Sequence, residues 1–321
     1  MDSLTQATLG AAVGEIILGK KIGNKGALLG AIIGTLPDLD IVLYPIYSEL
    51  ARISIHRGYS HSIIASIIMP ILLCLIIKRI RWFKEVAVFR LWFIGFLIWF
   101  THILLDACTT YGTQLYLPFS DQRISWDIVS IVDPYYTVPL LLGVLVSVSL
   151  FRKKTNRAIA TYVGILISSV YLIISAFLKI EAEKDFVAIF SEQGIAYNEM
   201  LTVPFDFGVN NWYAVARGDS GLFMYRYDEL KSHEGNIEFF PFNDHLLENV
   251  DPFIADRLIW FSQGFYSIFE FEGKIRLYNL QCDTQGSRYF GDTKVPTAFY
   301  FEIDPSKKHP QNLAVGMHPE D

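Results

Sequence analysis

The chain has 321 residues, of which 52% are apolar and only 19% charged, with a mean hydropathy of +0.32 and a net charge of −6. A disordered polymer is excluded, because that needs low hydrophobicity and high charge, and an ordinary soluble enzyme, at about 25% charged, is disfavoured. Residues 1–180 carry 16 Lys and Arg against ten Asp and Glu, whereas residues 181–321 carry 11 against 23.

This split predicts a helical membrane domain over 1–180 and an acidic water-exposed domain over 181–321. The acidic half argues against nucleic acid as a partner, since phosphate binding wants a basic surface. Three cysteines without a C-x-x-C pair predict neither a zinc knuckle nor a disulfide framework. The start Met1-Asp2-Ser3 lacks the basic residues of a cleavable signal, so none is expected.

A spanning helix needs about 20 apolar residues. In chain order the candidates are 3–19, 26–44, 62–77, 86–105, 135–151 and 158–180, giving a bundle of about six helices. The first two are rich in Gly and Ala and contain Glu15, Asp38 and Asp40, so they read as inner or partly inserted helices packed through small residues. Glu15 is expected to pack against a polar neighbour. Twelve of the 16 basic residues fall in alternate loops, at 20–25, 78–90 and 152–157, with Glu85 as the one acid among them. Under the positive-inside rule those loops are cytoplasmic. The N-terminus and the domain after 180 then face outward from the inner membrane.

Asp38, Asp40, His56, His61, His102, Asp106 and Asp133 all fall at the outward ends. Ionisable groups at such depth are costly and mark a functional site by default. His102 and Asp106 are four apart in an otherwise apolar run, which puts both on one helix face. Such a pair can bind a divalent cation, or it can form a buried hydrogen-bonded lock.

In His56-Arg57-Gly58-Tyr59-Ser60-His61-Ser62, Gly58 suits a turn and Ser60 can cap the next helix. His61, at the helix start, is the better ligand candidate, and His56 and Arg57 can meet an anionic substrate. Pro37-Asp38-Leu39-Asp40 places two carboxylates beside a helix breaker, each suited to a metal or to general-base work. Asp133-Pro134 reads as a helix start. Gln6 and Asp2 are outward enough to approach the cluster. Mixed nitrogen and oxygen ligands of this kind suit zinc first, with manganese or iron as alternatives.

Met1–Gln6, Leu36–Asp40, His56–Ser62, Thr101–Asp106, Thr109–Gln114 and Val132–Pro134, taken in that order, resemble the YdjM-like inner-membrane metal-dependent hydrolases. That family is in turn distantly similar to zinc-dependent phospholipases C and P1-type nucleases. The resemblance covers about residues 1–180. It implies that Asp38 or Asp40, His61, His102 and Asp106 are the metal ligands, with Asp38 the first choice and Asp40, His56 and Arg57 as catalytic residues. The implied activity is hydrolysis of lipid-linked or envelope phosphate esters at the outer face, with membrane lipid and a phosphate ester as partners. A transporter using the same polar cluster as an ion site, or a scaffold with an exported partner-binding domain, is the alternative.

After residue 180 the pattern changes to short aromatic and β-branched runs. Runs 212–217 and 222–227 flank Gly218-Asp219-Ser220-Gly221, and 266–271 and 274–280 flank Glu272-Gly273, so two hairpins are expected. Residues 299–303 read as a late strand and 244–264 as helical or irregular. The expected fold is a small α+β domain with a mostly antiparallel sheet. Its histidines, His233, His245, His309 and His318, are expected to be solvated, and the last dozen residues to fray.

Overall fold

The computed structural model describes residues 1–205, 208, 211–226, 236–281, 288–290, 293–307 and 311–318. The chain divides into two units, Met1–Leu43 with Ile55–Ser175, and Tyr44–Ser54 with Ala176–Asp321. Residue 227, His233, Cys282 and His309 lie outside the described residues.

The first unit opens with α1 (Ser3–Ile22), capped by Asp2, whose carboxylate accepts from the N–H groups of Leu4 and Thr5. Helix α2 (Lys25–Thr35) lies antiparallel on α1 through a seam of glycines: Gly10 and Gly14 face Gly26, Gly30 and Gly34. A Cβ on Gly34 would stand 2.5 Å from the carbonyl oxygen of Gln6, so only glycine allows this approach. Pro37 ends α2, because proline has no N–H to continue the i to i−4 hydrogen-bond ladder, although Leu36 before it keeps helical angles. The chain continues as a 3-10 helix, Pro37–Ile46, bent by 46° from α2.

A short helix α3 (Glu49–Ile55) and a 3-10 turn (Tyr59–His61) lead into α4 (Ile63–Ile77). The cap of α4 is Ser62, whose Oγ accepts from Ala65 N at 3.1 Å, rather than the expected Ser60. Helix α5 (Val88–Ala107) runs through the core of Leu18, Ile33, Ile94, Ile98, Trp99 and Ile103. Helix α6 (Pro134–Val148) starts at Asp133, which caps Tyr135 and Tyr136 N–H and accepts from the Tyr171 hydroxyl at 2.7 Å. That is the structural role expected of Asp133-Pro134. Helix α7 (Ile159–Glu192) has 34 residues.

The expectation of about six spanning helices is corrected. Among the described residues α5 and α7 are long and apolar enough to cross a bilayer, and the number rises to four if each of two bent helix pairs makes one span. The apolar run 26–44 is not one helix but α2 and a 3-10 segment. Helix α6 has 15 residues, a rise of about 22 Å against a hydrocarbon core of about 30 Å. Helix α1 is interrupted by the charges of Glu15, Lys20 and Lys21.

The three basic turns meet at one end of this unit. Lys21 Nζ donates to Glu85 O at 2.7 Å, and Asn24 Nδ2 donates to Val148 O at 2.8 Å. Arg157 holds the fully buried Glu15 with two bonds, Nε–Oε1 at 2.6 Å and Nη2–Oε2 at 2.8 Å. Glu15 thus has the polar packing partner expected of it. Gln6, toward the other end of α1, is about 13 Å from Glu15 along the helix axis.

In the second unit the last turns of α7 bury Phe186 and Phe190, which meet the rings of Tyr225 and Tyr197. Strands β1 (Glu199–Pro204), β2 (Trp212–Arg217), β3 (Gly221–Arg226) and β4 (Ile237–Pro241) form one antiparallel sheet in that order. Helix α8 (Pro252–Phe261) follows, then β5 (Tyr266–Phe271) and β6 (Lys274–Asn279). Strands β7 (Arg288–Phe290) and β8 (Thr293–Val295) make a separate ribbon. Strands β9 (Phe299–Ile303) and β10 (Leu313–Met317) complete a second antiparallel sheet, ordered β10-β9-β6-β5. The two larger sheets share a core around Val203, Tyr213, Leu222, Phe240, Tyr278 and Leu280.

Both expected hairpins and the late strand are present. Two expectations fail near the C-terminus. Residues 313–317 are paired as β10 rather than frayed. His318 is buried, not solvated, and bonds the Tyr278 hydroxyl at 2.7 Å.

Candidate metal centre

Four side chains from three separate stretches point at one another at the end of the first unit opposite the basic turns. Asp38 comes from the 3-10 helix after Pro37, His61 from the turn before α4, and His102 and Asp106 from the last turns of α5. His61 Nε2 lies 3.2 Å from His102 Nε2, 3.3 Å from Asp38 Oδ1 and 3.2 Å from Asp106 Oδ2. His102 Nε2 lies 3.5 Å from each of the same two oxygens. All four ligand atoms fall within 4.8 Å of one another, and His61, His102 and Asp106 are buried.

The outer hydrogen bonds fix which atoms face inward. His102 Nδ1 lies 2.8 Å from the carbonyl of Gly34, which can only accept, so this nitrogen carries the proton. Ser60 Oγ gives its hydrogen to Asp40 Oδ2 at 3.2 Å, so His61 Nδ1, 2.9 Å from the same hydroxyl, is the donor there. A ring that carries no second proton presents a lone pair at Nε2. Asp106 divides its oxygens in the same way. Oδ1 accepts from Gln6 Nε2 at 2.9 Å, faces Arg57 Nη2 at 3.4 Å and meets the amino group of Met1 at 2.5 Å. Oδ2 has no hydrogen-bond donor. Four atoms that can each accept therefore converge on one buried point, an arrangement that is costly unless a proton or a cation sits between them.

The donor set fits a divalent ion. Around a tetrahedral ion with bonds of about 2.0–2.1 Å, ligand atoms stand about 3.3–3.4 Å apart, against the 3.2–3.5 Å between the ring nitrogens and their neighbours here. Each imidazole also donates its far N–H to an oxygen, as metal-bound histidines do.

Six of the seven side chains marked in the sequence join this one network, in different roles, while Asp133 caps α6 instead. Asp40 stands outside the group of four. Its carboxylate accepts from His56 Nδ1 at 3.0 Å, Arg57 N at 3.1 Å and Ser60 Oγ at 3.2 Å. Asp38 and Asp40 are two positions apart on a 3-10 helix of three residues per turn, so they face different ways. His56 is partly exposed beside Tyr111, with ring centroids 5.3 Å apart.

Arg57 is buried and turned toward Asp106. Its Nη1 donates to Thr109 Oγ1 at 2.8 Å and to Asp106 O at 3.3 Å. The left-handed residue of this turn is Arg57 itself, with φ 56°, and not Gly58, with φ −91°. A non-glycine residue there stores about 1–3 kcal/mol of strain. Asp40 and Gln114, whose N–H donates to Arg57 O at 3.0 Å, hold it in place.

Sequence reasoning missed several participants. Ser60 links Asp40 to His61. The Tyr111 ring lies beneath two cations, Arg57 at 4.9 Å and Arg123 at 4.8 Å from its centroid. Arg123 carried one signal, as a basic residue outside the three basic loops. The segment bearing Tyr111 and Arg123 is pinned by a two-way backbone bridge between Thr113 and Ile124 and by Trp126 N donating to Ala107 O at 2.7 Å.

A helical, membrane-type unit with a buried His and Asp cluster able to hold a metal is the class that these features define. The chain belongs to the YdjM inner membrane protein family, whose sequence profile matches residues 1–181. It is similar to the inner membrane protein YbcI of Escherichia coli (strain K12), at 30% identity over 45% of this chain and 86% of that protein. It is likewise 30% identical to the protein YfhP of Bacillus subtilis (strain 168), over 46% of each chain. The aligned part thus spans about half of YfhP. No solved structure matches the chain.

Proposed function

We propose that the chain is an integral-membrane, metal-dependent hydrolase whose ion, zinc in the first place, is held by Asp38, His61, His102 and Asp106, and whose substrates are lipid-linked phosphate esters. The observation that carries this reading is the convergence of four atoms that can each accept, 3.2–3.5 Å apart around the two ring nitrogens, on one buried point. Once bound, a divalent ion supplies Lewis-acid polarisation of a phosphoryl oxygen and makes water nucleophilic near neutral pH.

The chain's own groups have assignable work. Gln6 and Arg57 hold Asp106 so that Oδ2 stays directed inward. Asp40 and Ser60 keep the His61 proton on Nδ1. Asp40 also orients His56, the partly exposed imidazole at the edge of the network, which can pass a proton to or from a leaving group. Arg57 and Arg123 around Tyr111 give this end positive charge suited to a phosphate oxyanion. Beside Asp38, the side chains of Leu39, Ile41 and Val42 are exposed and apolar, which favours a substrate with an acyl or prenyl tail over a free sugar phosphate.

The orientation follows from charge. Three basic turns meet at one end, which the positive-inside rule puts in the cytoplasm. The centre and the second unit are then extracytoplasmic.

The test is elemental analysis of the full chain purified in detergent, beside His102→Ala, with phosphate mono- and diesters assayed on both. About one zinc per chain in the wild type, lost in the variant together with ester hydrolysis, is expected. A wild type without bound metal would leave a proton shared between the histidines as the occupant and remove the enzymatic reading. Ester hydrolysis that survives chelation would remove the metal from it.

A further inference from the structure

Four protein ligands are enough to close a tetrahedral zinc site, whereas hydrolytic zinc sites keep one position for water or substrate. If the centre is a hydrolytic one, as proposed above, one of its four ligands must be able to yield. The four are not held alike. His102 is anchored through Nδ1 to Gly34 O, His61 through Nδ1 to Ser60 and thereby to Asp40, and Asp106 through Oδ1 to Gln6 and Arg57. Among the described residues Asp38 has no such outer support: its polar contacts run inward, to His61 and His102.

Exposure separates the same residue. The Asp38 side chain is 15% exposed, against 0–1% for the other three. The backbone beneath it is also weaker than that beneath His102 and Asp106. His102 and Asp106 stand on a 20-residue α-helix, whereas Asp38 stands on a 3-10 segment just past the Pro37 break. Hydrogen-bond geometry is poorer in such a segment.

We infer that Asp38 is the exchangeable ligand: His61, His102 and Asp106 retain the ion, and Asp38 gives up its position to an oxygen of water or of an incoming phosphate group. No covalent bond within the chain is made or broken, and the carboxylate stays ionised as it swings away.

The test uses the full chain in detergent, loaded with cobalt(II), whose visible absorption reports coordination without any assay of activity. Cobalt affinity is measured by equilibrium dialysis for the wild type, Asp38→Ala, Asp38→Asn, His102→Ala and Asp106→Asn. The Asp38 variants are expected to keep one cobalt per chain, weakened by about tenfold, while His102→Ala and Asp106→Asn lose more than about a hundredfold, the order expected from supporting versus anchoring groups. Inorganic phosphate is expected to shift the wild-type spectrum, and to do so at lower concentration in Asp38→Ala, where no carboxylate has to be displaced.

Loss of cobalt in both Asp38 variants equal to that in His102→Ala would overturn the inference, because Asp38 would then be a permanent ligand. Asp38→Asn, close in shape to the wild type, guards against misreading a folding defect in Asp38→Ala. A wild-type spectrum unmoved by phosphate, beside a responsive Asp38→Ala, would overturn it as well and mark the centre as closed. A wild type that takes up no cobalt would instead sink the metal centre itself, and the exchange with it.

Discussion

His61 Nε2 and His102 Nε2 face each other at 3.2 Å, and each ring has already committed its other nitrogen to a hydrogen bond outside the cluster. Two such lone pairs do not attract. The contact is stable only with positive charge between the rings, and the two carboxylate oxygens beside them strengthen that demand.

Asp40 is the most connected of the supporting groups, accepting from His56, Arg57 N and Ser60. Asp40→Asn replaces one of its two acceptors by a donor, so at least one of those bonds is lost. The expected result is metal affinity lower by about 10–100-fold with unchanged stoichiometry. Equilibrium dialysis at graded zinc concentration reads this directly, and an unchanged affinity would mean that Asp40 does not support His61.

The α1–α2 seam tolerates no side chain. A Cβ on Gly30 would press into the carbonyl of Gly10, and both sides are backbone that cannot step aside. Gly30→Ala is expected to cost at least about 1–3 kcal/mol. The measurement is thermal unfolding in detergent, with the exposed Leu28→Ala as a control that stays near wild type. Equal melting temperatures for the two variants would contradict the packing described.

Glu15 is fully buried and, among the described residues, is held by Arg157 as its one charged partner. Removing one member of a buried pair strands the other, at about 3–5 kcal/mol. Glu15→Gln and Arg157→Met should each destabilise the chain to this extent, and the double change Glu15→Leu with Arg157→Met should recover much of it. A double variant as unstable as the sum of the singles would show that the pair's worth lies elsewhere.

The second unit has an acid limit set on β6 and β9. Glu302 accepts from Lys274 Nζ at 2.5 Å and from Arg276 Nε and Nη2 at 3.0 and 2.9 Å. Burial opposes its ionisation, but these bonds outweigh it and hold the carboxyl below its usual value of about 4.5. Asp304, bonded to Ser306 and Lys307, is lowered to about 2. Both folded values lie below the unfolded ones, so the stabilisation is complete above about pH 4.5 and is lost as pH falls from there toward 2. Hydrogen-exchange protection of β6 and β9 in the full chain, taken relative to the intrinsic rate at each pH, should fall over that window. In Glu302→Gln the protection should be lower at neutral pH and less sensitive to acid, and an unaltered acid dependence would assign it to other carboxylates.

Much of this was legible before any coordinates, for physical reasons. His102 and Asp106 are readable because a helix turns a spacing of four into a shared face. The hairpins at 212–226 and 266–279 are readable because aromatic and β-branched runs flank short turns containing Gly218, Asp219 and Gly273. What escaped depends on distance in space or on local geometry. Asp38 and Asp40 look equivalent in sequence, and only the 3-10 geometry after Pro37 sends one inward and the other outward. Ser60 and Ser62 compete for one cap, and the winner is decided by where Asp40 stands. The number of spans was overread because an apolar run need not be one helix. Strand β10 was missed because Leu313-Ala314-Val315-Gly316-Met317 is short, contains glycine and lies near the chain's end.

The ligand atoms come from stretches separated by 23 and 41 residues, each delivered by a different secondary element. No fragment shorter than the run from Pro37 to Ala107 can therefore offer the complete nest. If the cluster binds an ion, capture therefore requires that the α2 end, the His61 turn and α5 have already come together. A chain misassembled at any of those three joints would stay empty, and its metal content would report its folding history.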